Sequence, residues 1–152
     1  MRSFLKYWLP LLLWLGLIFG ASSDRMSVQH SSRIIGPLMR WLFPRLPEKN
    51  VEQVVFGVRK CAHVTEYAIL SWLLFRALNQ PKERGPAPWN WPKAAVVFAL
   101  VALYAASDEI HQLFVPSRQA SVWDVLLDSG GAAVGLLVVW SIRRWRGKLR
   151  SR

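Results

Sequence analysis

The chain has 152 residues, which is room for one domain, and 53% of them are hydrophobic. The apolar residues come in blocks rather than at the periods of a soluble fold, and nine residues are tryptophan. The formal charge is +11, but the basic residues flank the apolar blocks as membrane topology requires, which argues against nucleic-acid binding. The single cysteine, Cys61, excludes an intramolecular disulfide and a cysteine-based zinc site. These features predict an all-α integral membrane protein that forms a bundle of four transmembrane helices.

The first predicted membrane helix covers about residues 5–21. At about 1.5 Å per residue it can cross a hydrocarbon core of about 30 Å if its flanks help. The alternative is a cleaved signal peptide, since Ala21-Ser22-Ser23 resembles a cleavage site. Nothing later in the chain needs a free mature N-terminus, so we expect the helix to be kept.

The long connection that follows covers residues 22–55. The spacing of its apolar residues predicts a short helix lying in the membrane interface. Trp41 would lie at headgroup level, and Pro44 and Pro47 would end the helix. A plain surface loop is the alternative. The apolar residues that recur at helical spacing are Ile34, Ile35, Leu38, Met39, Leu42 and Phe43.

The second predicted membrane helix, about residues 55–78, carries a polar stripe two turns deep. Glu66 lies beside this stripe, nearer His63 than Lys60. The alternative is that Lys60 marks the membrane edge and His63 is a packing residue. Lipid offers such groups no partners, which favours a polar site. The stripe consists of Lys60, His63, Tyr67 and Ser71.

The third predicted membrane helix, about residues 93–114, ends in a cluster of polar residues. Four of its residues share a face at offsets of three and four, and Glu109 points about 100° away from Asp108 by helical geometry. The residues that share the face are Tyr104, Asp108, His111 and Gln112.

The fourth predicted membrane helix, about residues 122–142, has one stripe that is polar at its start and small further in. Small residues four apart let helices approach closely, so this stripe predicts a buried contact face with two carboxylates at its outer end. A basic tail, residues 143–152, follows the helix. The stripe consists of Asp124, Asp128, Gly131 and Gly135.

The distribution of basic residues predicts the orientation of the chain. Four crossings put both termini on one side, which would hold twelve Lys and Arg against eight on the other. The positive-inside rule then places both termini and the tail in the cytoplasm. With the family resemblance described below, the expected location is a bacterial cytoplasmic membrane. The start of the second helix, the end of the third and the start of the fourth would share the extracytoplasmic face. One polar pocket is therefore expected there, formed by Lys60, His63, Glu66, Asp108, Glu109, His111, Gln112, Arg118, Asp124 and Asp128.

Three spaced motifs carry a resemblance to a known family. They are Lys60-x-x-His63-x-x-x-Tyr67, Glu109-x-x-Gln112-x-Phe114-x-Pro116-x-Arg118, and Asp124 followed at the seventh position by Gly131 and then by Gly135. Together with Ser22-Ser23 they resemble the VanZ-like family over nearly the whole chain, residues 1–152. Asp128 departs from the family pattern, which often has Asn there. The resemblance implies a small four-helix membrane protein of the cell envelope, in a family whose founding member is associated with resistance to the glycopeptide teicoplanin, and it implies no particular reaction.

The first functional hypothesis is that the pocket binds or processes an anionic lipid-linked or peptidoglycan-related molecule. Lys60 and Arg118 would supply positive charge, and His63 or His111 would move a proton near neutral pH. Whether the protein is an enzyme stays open, and no cofactor is expected. The catalytic candidates are His63, Glu109, Arg118 and Asp124. The candidate ligand-binding residues are Lys60, Glu66, Tyr67, Asp108, His111, Gln112 and Asp128.

Three alternatives remain at this stage. The charged cluster can be purely structural, with Lys60 and Arg118 neutralising carboxylates to tie the helix ends together. The histidines and carboxylates can hold zinc or manganese, although their spacing matches no strong metal motif. A transporter is disfavoured because four helices without an evident repeat offer little for alternating access. The bilayer is the expected partner, and the oligomeric state is left open.

Overall fold

The fold is all-helical, as the sequence predicts. The computed structural model describes residues 2–22, 28–80, 89–115 and 120–150, and within these ranges it contains five helices and no strand. The helices are α1 (Arg2–Ser22), α2 (Val28–Leu42), α3 (Glu48–Leu78), α4 (Trp91–Gln112) and α5 (Val122–Arg150).

Three of these described helices are long and apolar enough to cross a membrane. The candidate spans are Ser3–Ser22 in α1, Trp91–Gln112 in α4 and Val122–Leu149 in α5. Their outward faces carry large apolar side chains such as Leu13 and Leu103, each 66% exposed. A continuous exposed apolar surface of this kind is typical of contact with lipid. The helices therefore indicate a multi-pass membrane protein.

The predicted second span falls on α3, which does not belong to that apolar set. The helix has 31 residues and begins directly after Pro47, earlier than the sequence pattern suggests. Its first turn is tied to α2 by an ion pair between Arg40 and Glu48, in which Arg40 Nε donates to Glu48 Oε2 at 3.3 Å. This hydrogen bonding and the charge of Glu48 raise the pKa of Arg40 above its usual value.

The contact between α1 and α4 shows that these two helices run in the same direction. The hydroxyl of Tyr104 donates to the carbonyl oxygen of Leu15 at 2.9 Å, and one to two turns further along, Ser22 reaches Asp108. Residue numbers therefore rise together along the two helices.

Helix α1 runs antiparallel to α3. The indole nitrogen of Trp14 donates to the carbonyl oxygen of Glu66 at 3.0 Å, while the guanidinium of Arg76 lies 5.2 Å from the ring centre of Tyr7. Residue numbers rise along one helix as they fall along the other. The long helices α1, α3 and α4 thus alternate in direction along the chain.

Helix α3 is the central element, since it packs against each of the other four helices. It contributes more buried residues to the core than any other helix, and its Tyr67 and Phe75 are completely inaccessible to solvent. The α4 side of the core is formed by small or β-branched residues, which allows close helix packing. Across the whole core, the residues that are at most 1% exposed are Ile18, Tyr67, Leu70, Phe75, Val97, Val101, Ala105 and Ala132.

The ends of α4 and α5 follow from local sequence. Asn90 caps α4, because its side-chain oxygen accepts from the backbone N–H of Lys93 at 2.8 Å, and Pro92 occupies the first turn. Helix α5 continues through Arg150, so most of the basic tail is helical. Arginine and lysine have good helix propensity, which accounts for the extension.

Small residues let α3 and α5 approach closely. A Cβ atom at Gly131 would lie 2.5 Å from the carbonyl oxygen of Val64. A Cβ atom at Gly135 would overlap the carbonyl oxygen of Ala68 and lie 2.8 Å from its Cα. The small-residue stripe of α5 is therefore a contact face that packs directly on the α3 backbone.

Candidate functional site

The contacts between α3 and α5 occur in one parallel register. Lys60 forms an ion pair with Asp124, and one turn further along, His63 Nδ1 lies 3.7 Å from Asp128 Oδ1. The glycine contacts described above continue the same series toward the C-terminal ends of both helices. The two helices therefore run in the same direction, with their charged residues at the same end of the bundle.

The Lys60–Asp124 pair lies at the edge of the site. The two side chains are 28% and 27% exposed, so water still reaches them. Because Asp124 already neutralises Lys60, this lysine adds little net positive charge for an incoming anion. The sequence predicted both residues for the site, and the structure brings them together.

Asp108 links α1 with α4. Its Oδ2 atom accepts from the hydroxyl of Ser22 at 2.6 Å and from Nε2 of Gln112 at 3.1 Å, and all three residues are buried. Ser22 belongs to the serine pair singled out in the sequence, and Ser23 lies outside the described residues. The hydrogen bonds hold the end of α1 against the end of α4.

Glu109 links α4 with the start of α5. Its Oε2 atom accepts from the backbone N–H of Ser121 at 2.8 Å. Ser121 also caps α5, since its hydroxyl accepts from the backbone N–H of Trp123 at 3.2 Å. Asp108 and Glu109, adjacent in sequence, thus point to different neighbouring helices, as the predicted angle of about 100° requires.

Several buried polar atoms in this region have no hydrogen-bond partner among the described residues. Asp128 is completely buried and neither of its carboxylate oxygens is hydrogen-bonded. Buried polar groups are nearly always paired in proteins, so a set of unpaired atoms in one place calls for an explanation. The other such atoms are Asp108 Oδ1, Glu109 Oε1 and the hydroxyl oxygen of Tyr67.

The carboxylates are close enough to interact electrostatically. The charges of Glu109, Asp108 and Asp124 act on Asp128. Those of Asp108, Asp128 and Glu109 act on Tyr67. We call this group the acidic cluster: Asp108, Glu109, Asp124 and Asp128. Like charges in a low-dielectric environment repel strongly, which makes the cluster costly to assemble without a compensating group.

Two predicted site residues, His111 and Glu66, make their described contacts with α1, and a third lies outside the described residues. The ring of His111 lies 4.6 Å from that of Phe19, on the α1 side of α4. Glu66 accepts from Trp14 through its backbone, while its side chain still acts electrostatically on Asp128. Arg118 lies outside the described residues.

Sequence reasoning did not select Ser22 or Ser121 as site residues. Both donate to cluster carboxylates, Ser22 through its hydroxyl and Ser121 through its backbone. The Ser121-x-x-Asp124 spacing before an apolar run is a helix-capping signal, and it could have identified Ser121 as the start of α5. No signal in a single sequence identifies the partner of Ser22 on another helix.

The described residues contain no group of three or more His, Cys, Asp or Glu arranged to hold a metal ion. Three of the cavities formed by the described residues are lined by none of the four acids of the acidic cluster. The largest of these three, about 690 Å³, lies between α2 and the first turns of α3. What the described residues of the cluster present is a set of unpaired acceptors.

Comparison with known proteins agrees with this architecture. The described helices define a multi-pass helical membrane protein with a charged cluster at one end of the bundle. A sequence model of the VanZ/LLP1 family matches residues 7–143. The chain belongs to the VanZ/LLP1 family, and the resemblance noted in the sequence is confirmed. No curated protein and no solved structure matches the chain.

Proposed function

We propose that the chain crosses the membrane four times, through α1, α3, α4 and α5, with α2 lying in the interface. The alternating helix directions support this topology. At about 1.5 Å per residue, the 31 residues of α3 extend for about 46 Å, enough to cross the core and project beyond it. Lys60 and His63 of α3 face α5, which helps to explain how a less apolar helix can serve as a span.

The acidic cluster then lies at the extracytoplasmic face and both termini lie in the cytoplasm. The side that holds the termini carries twelve of the twenty Lys and Arg, including six in residues 143–152. The positive-inside rule supports this orientation. Membership of the VanZ/LLP1 family motivates the proposal that the membrane is a bacterial cytoplasmic membrane.

The proposed function is binding of an anionic cell-envelope molecule, lipid-linked or related to peptidoglycan, at the acidic cluster. The observation that carries this proposal is Asp128, a fully buried carboxylate whose oxygens accept no hydrogen bond from the described residues. Buried acceptors without a donor are costly, so a cluster that only holds helices together gains nothing from them. A ligand with hydroxyl, amide or amine groups supplies the missing donors.

Envelope precursors carry both kinds of group that the site requires. Their sugar hydroxyls and amide N–H groups can donate to the unpaired oxygens of Asp128, Asp108 and Glu109. Their phosphate or carboxylate would engage Lys60, displacing Asp124, together with Arg118. His63, 3.7 Å from Asp128, is the group placed to move a proton if the bound molecule is processed. A role in teicoplanin susceptibility follows from the same proposal, since glycopeptides bind such precursors.

A structural role is the second candidate, and specific contacts favour it. Lys60 is paired with Asp124, and Asp108 is held by Ser22 and Gln112. These contacts tie α3 to α5 and α1 to α4 at one end of the bundle, and the hydrogen bond from Ser121 to Glu109 joins the two pairs. They provide partners for Asp124 and for one carboxylate oxygen of Asp108. They provide no hydrogen bond to either oxygen of Asp128.

Exchanging the charges of the Lys60–Asp124 pair separates the two candidates. The single change Lys60→Glu places two acids together, so it should destabilise the protein and lower its amount in the membrane. The loss of stability should be smaller than the roughly 3–5 kcal/mol typical of a fully buried pair, because both groups are partly exposed. Adding Asp124→Lys restores the ion pair and should restore the amount of protein. We expect the exchanged protein to remain unable to bind, because a ligand site needs its charges in place.

The measurement is binding of a lipid-linked peptidoglycan precursor to each purified variant in nanodiscs, with membrane abundance determined by immunoblot. Teicoplanin susceptibility of the expressing cells provides a second readout. Normal binding and normal susceptibility in the exchanged protein would favour the structural role over ligand binding.

A further inference from the structure

A groove follows the contact between α3 and α5 from the middle of the bundle to the end opposite the acidic cluster. One part is a cavity of about 600 Å³ whose walls are almost entirely apolar. A second cavity of about 230 Å³ adjoins it. Trp72, Val139, Ile142 and Arg146 line both cavities, so the two form one continuous surface.

Three arginines surround the smaller cavity. Arg76 belongs to α3, and Arg143 and Arg146 lie one turn apart on α5. The guanidinium of Arg143 lies 5.0 Å from the ring centre of Phe75, which holds its charge beside the cavity. Among the described residues that line the two cavities there is no acidic side chain. The smaller cavity therefore concentrates positive charge at the end of an apolar groove.

The depth of these residues matches that of a lipid. Sixteen residues separate Lys60 from Arg76 along α3, and nineteen separate Asp124 from Arg143 along α5. These separations correspond to about 24 Å and 28 Å of helix, close to the roughly 30 Å of a bilayer core. The arginines then lie at headgroup level on the side that holds the termini, and the apolar cavity lies at acyl-chain level.

We propose that this groove binds an anionic glycerophospholipid, with the phosphate held by Arg76, Arg143 and Arg146 and one acyl chain in the apolar cavity. Arginine binds phosphate through paired hydrogen bonds, and its charge favours anionic over zwitterionic headgroups. A free phosphate ion leaves the apolar cavity unused. The site requires only that the chain span a membrane, and it depends neither on the function of the acidic cluster nor on the orientation of the protein.

The test uses the full chain, purified in detergent and stripped of lipid, with binding of single lipids followed by native mass spectrometry. Phosphatidylglycerol should bind about tenfold or more tightly than phosphatidylcholine with the same acyl chains. The double variant Arg143→Gln/Arg146→Gln should lose about tenfold or more in affinity for phosphatidylglycerol.

A matched control removes the same charge from the same helix outside the groove. Arg144 and Lys148 line neither cavity, and the guanidinium of Arg144 lies instead over the Trp140 ring at 5.3 Å. The variant Arg144→Gln/Lys148→Gln should bind phosphatidylglycerol within about twofold of the unchanged protein, because surface charges away from the site act weakly. Equal losses in the two double variants would show general charge attraction and overturn the proposal.

A second variant tests the acyl-chain part without changing any charge. Val138 lines the apolar cavity and is about half exposed, so Val138→Trp should fill the groove while leaving the fold intact. We expect weaker binding of phosphatidylglycerol and an unchanged circular dichroism spectrum. Unchanged binding in this variant, or full displacement of phosphatidylglycerol by millimolar inorganic phosphate, would reduce the site to a simple anion site and contradict the lipid proposal.

Discussion

Replacing Gly135 by leucine should cause the largest loss of stability of any single change that we propose. The added Cβ atom overlaps the carbonyl oxygen of Ala68, and this backbone cannot move without shifting the whole of α3. Overpacking a well-packed interior typically lowers the stability by about 1–3 kcal/mol and sometimes more. Here the overpacking separates α3 from α5, the central helix pair. The measurement is the melting temperature of the detergent-purified protein, followed by circular dichroism.

Gly130 provides the control for this change. It lies on the same helix, but a Cβ atom there meets nothing within 4 Å. Gly130→Leu should leave the melting temperature unchanged or slightly higher, because leucine has the better helix propensity. Equal melting temperatures for the two leucine variants would show that α3 and α5 do not pack through this glycine.

Asp128→Asn should separate function from stability. The carboxylate is buried and accepts no hydrogen bond from the described residues, so replacing it by a neutral isostere removes an unfavourable charge. We expect a melting temperature equal to or above that of the unchanged protein. Binding of the lipid-linked precursor in nanodiscs should fall by about tenfold or more, since a hydrogen bond to a charged acceptor contributes roughly 1.5–3 kcal/mol.

Asp108→Asn is the matched comparison, because this carboxylate accepts hydrogen bonds from Ser22 and Gln112. Weakening these charged hydrogen bonds should destabilise the protein by about 1–3 kcal/mol. If Asp128→Asn destabilises the protein as strongly as Asp108→Asn does, Asp128 serves to hold the bundle together and the ligand-binding proposal is wrong.

The sequence was sufficient to predict an all-helical chain and the contact face of α5. Apolar blocks predict α1, α4 and α5, because membrane spans need long runs of apolar residues. Helical offsets place Asp124, Asp128 and the two glycines on one face of α5, and the structure packs that face on α3. Positions along a single helix follow from geometry alone, which is why these predictions succeed.

The partners of each side chain could not be predicted in the same way. Offsets along α4 put His111 on the face of Asp108, and both residues do contact α1, but the offsets could not identify Phe19 and Ser22 as their partners. The sequence left two roles open for Lys60, to supply positive charge to a ligand or to neutralise a carboxylate, and the structure pairs it with Asp124. The distance between two helices depends on packing across the bundle, and a single sequence carries little information about that packing.

The most direct test of the account is the sidedness of the connection between α4 and α5, beside the acidic cluster. A cysteine is introduced at Ser117 in a Cys61→Ser background, since Cys61 is exposed and would itself react. Intact cells are then treated with a membrane-impermeant maleimide. Labelling in intact cells is the predicted result, because the cluster should face the outside, where envelope precursors are found. Protection in intact cells, with labelling only after permeabilisation, would place the cluster in the cytoplasm and contradict both the orientation and the proposed ligand.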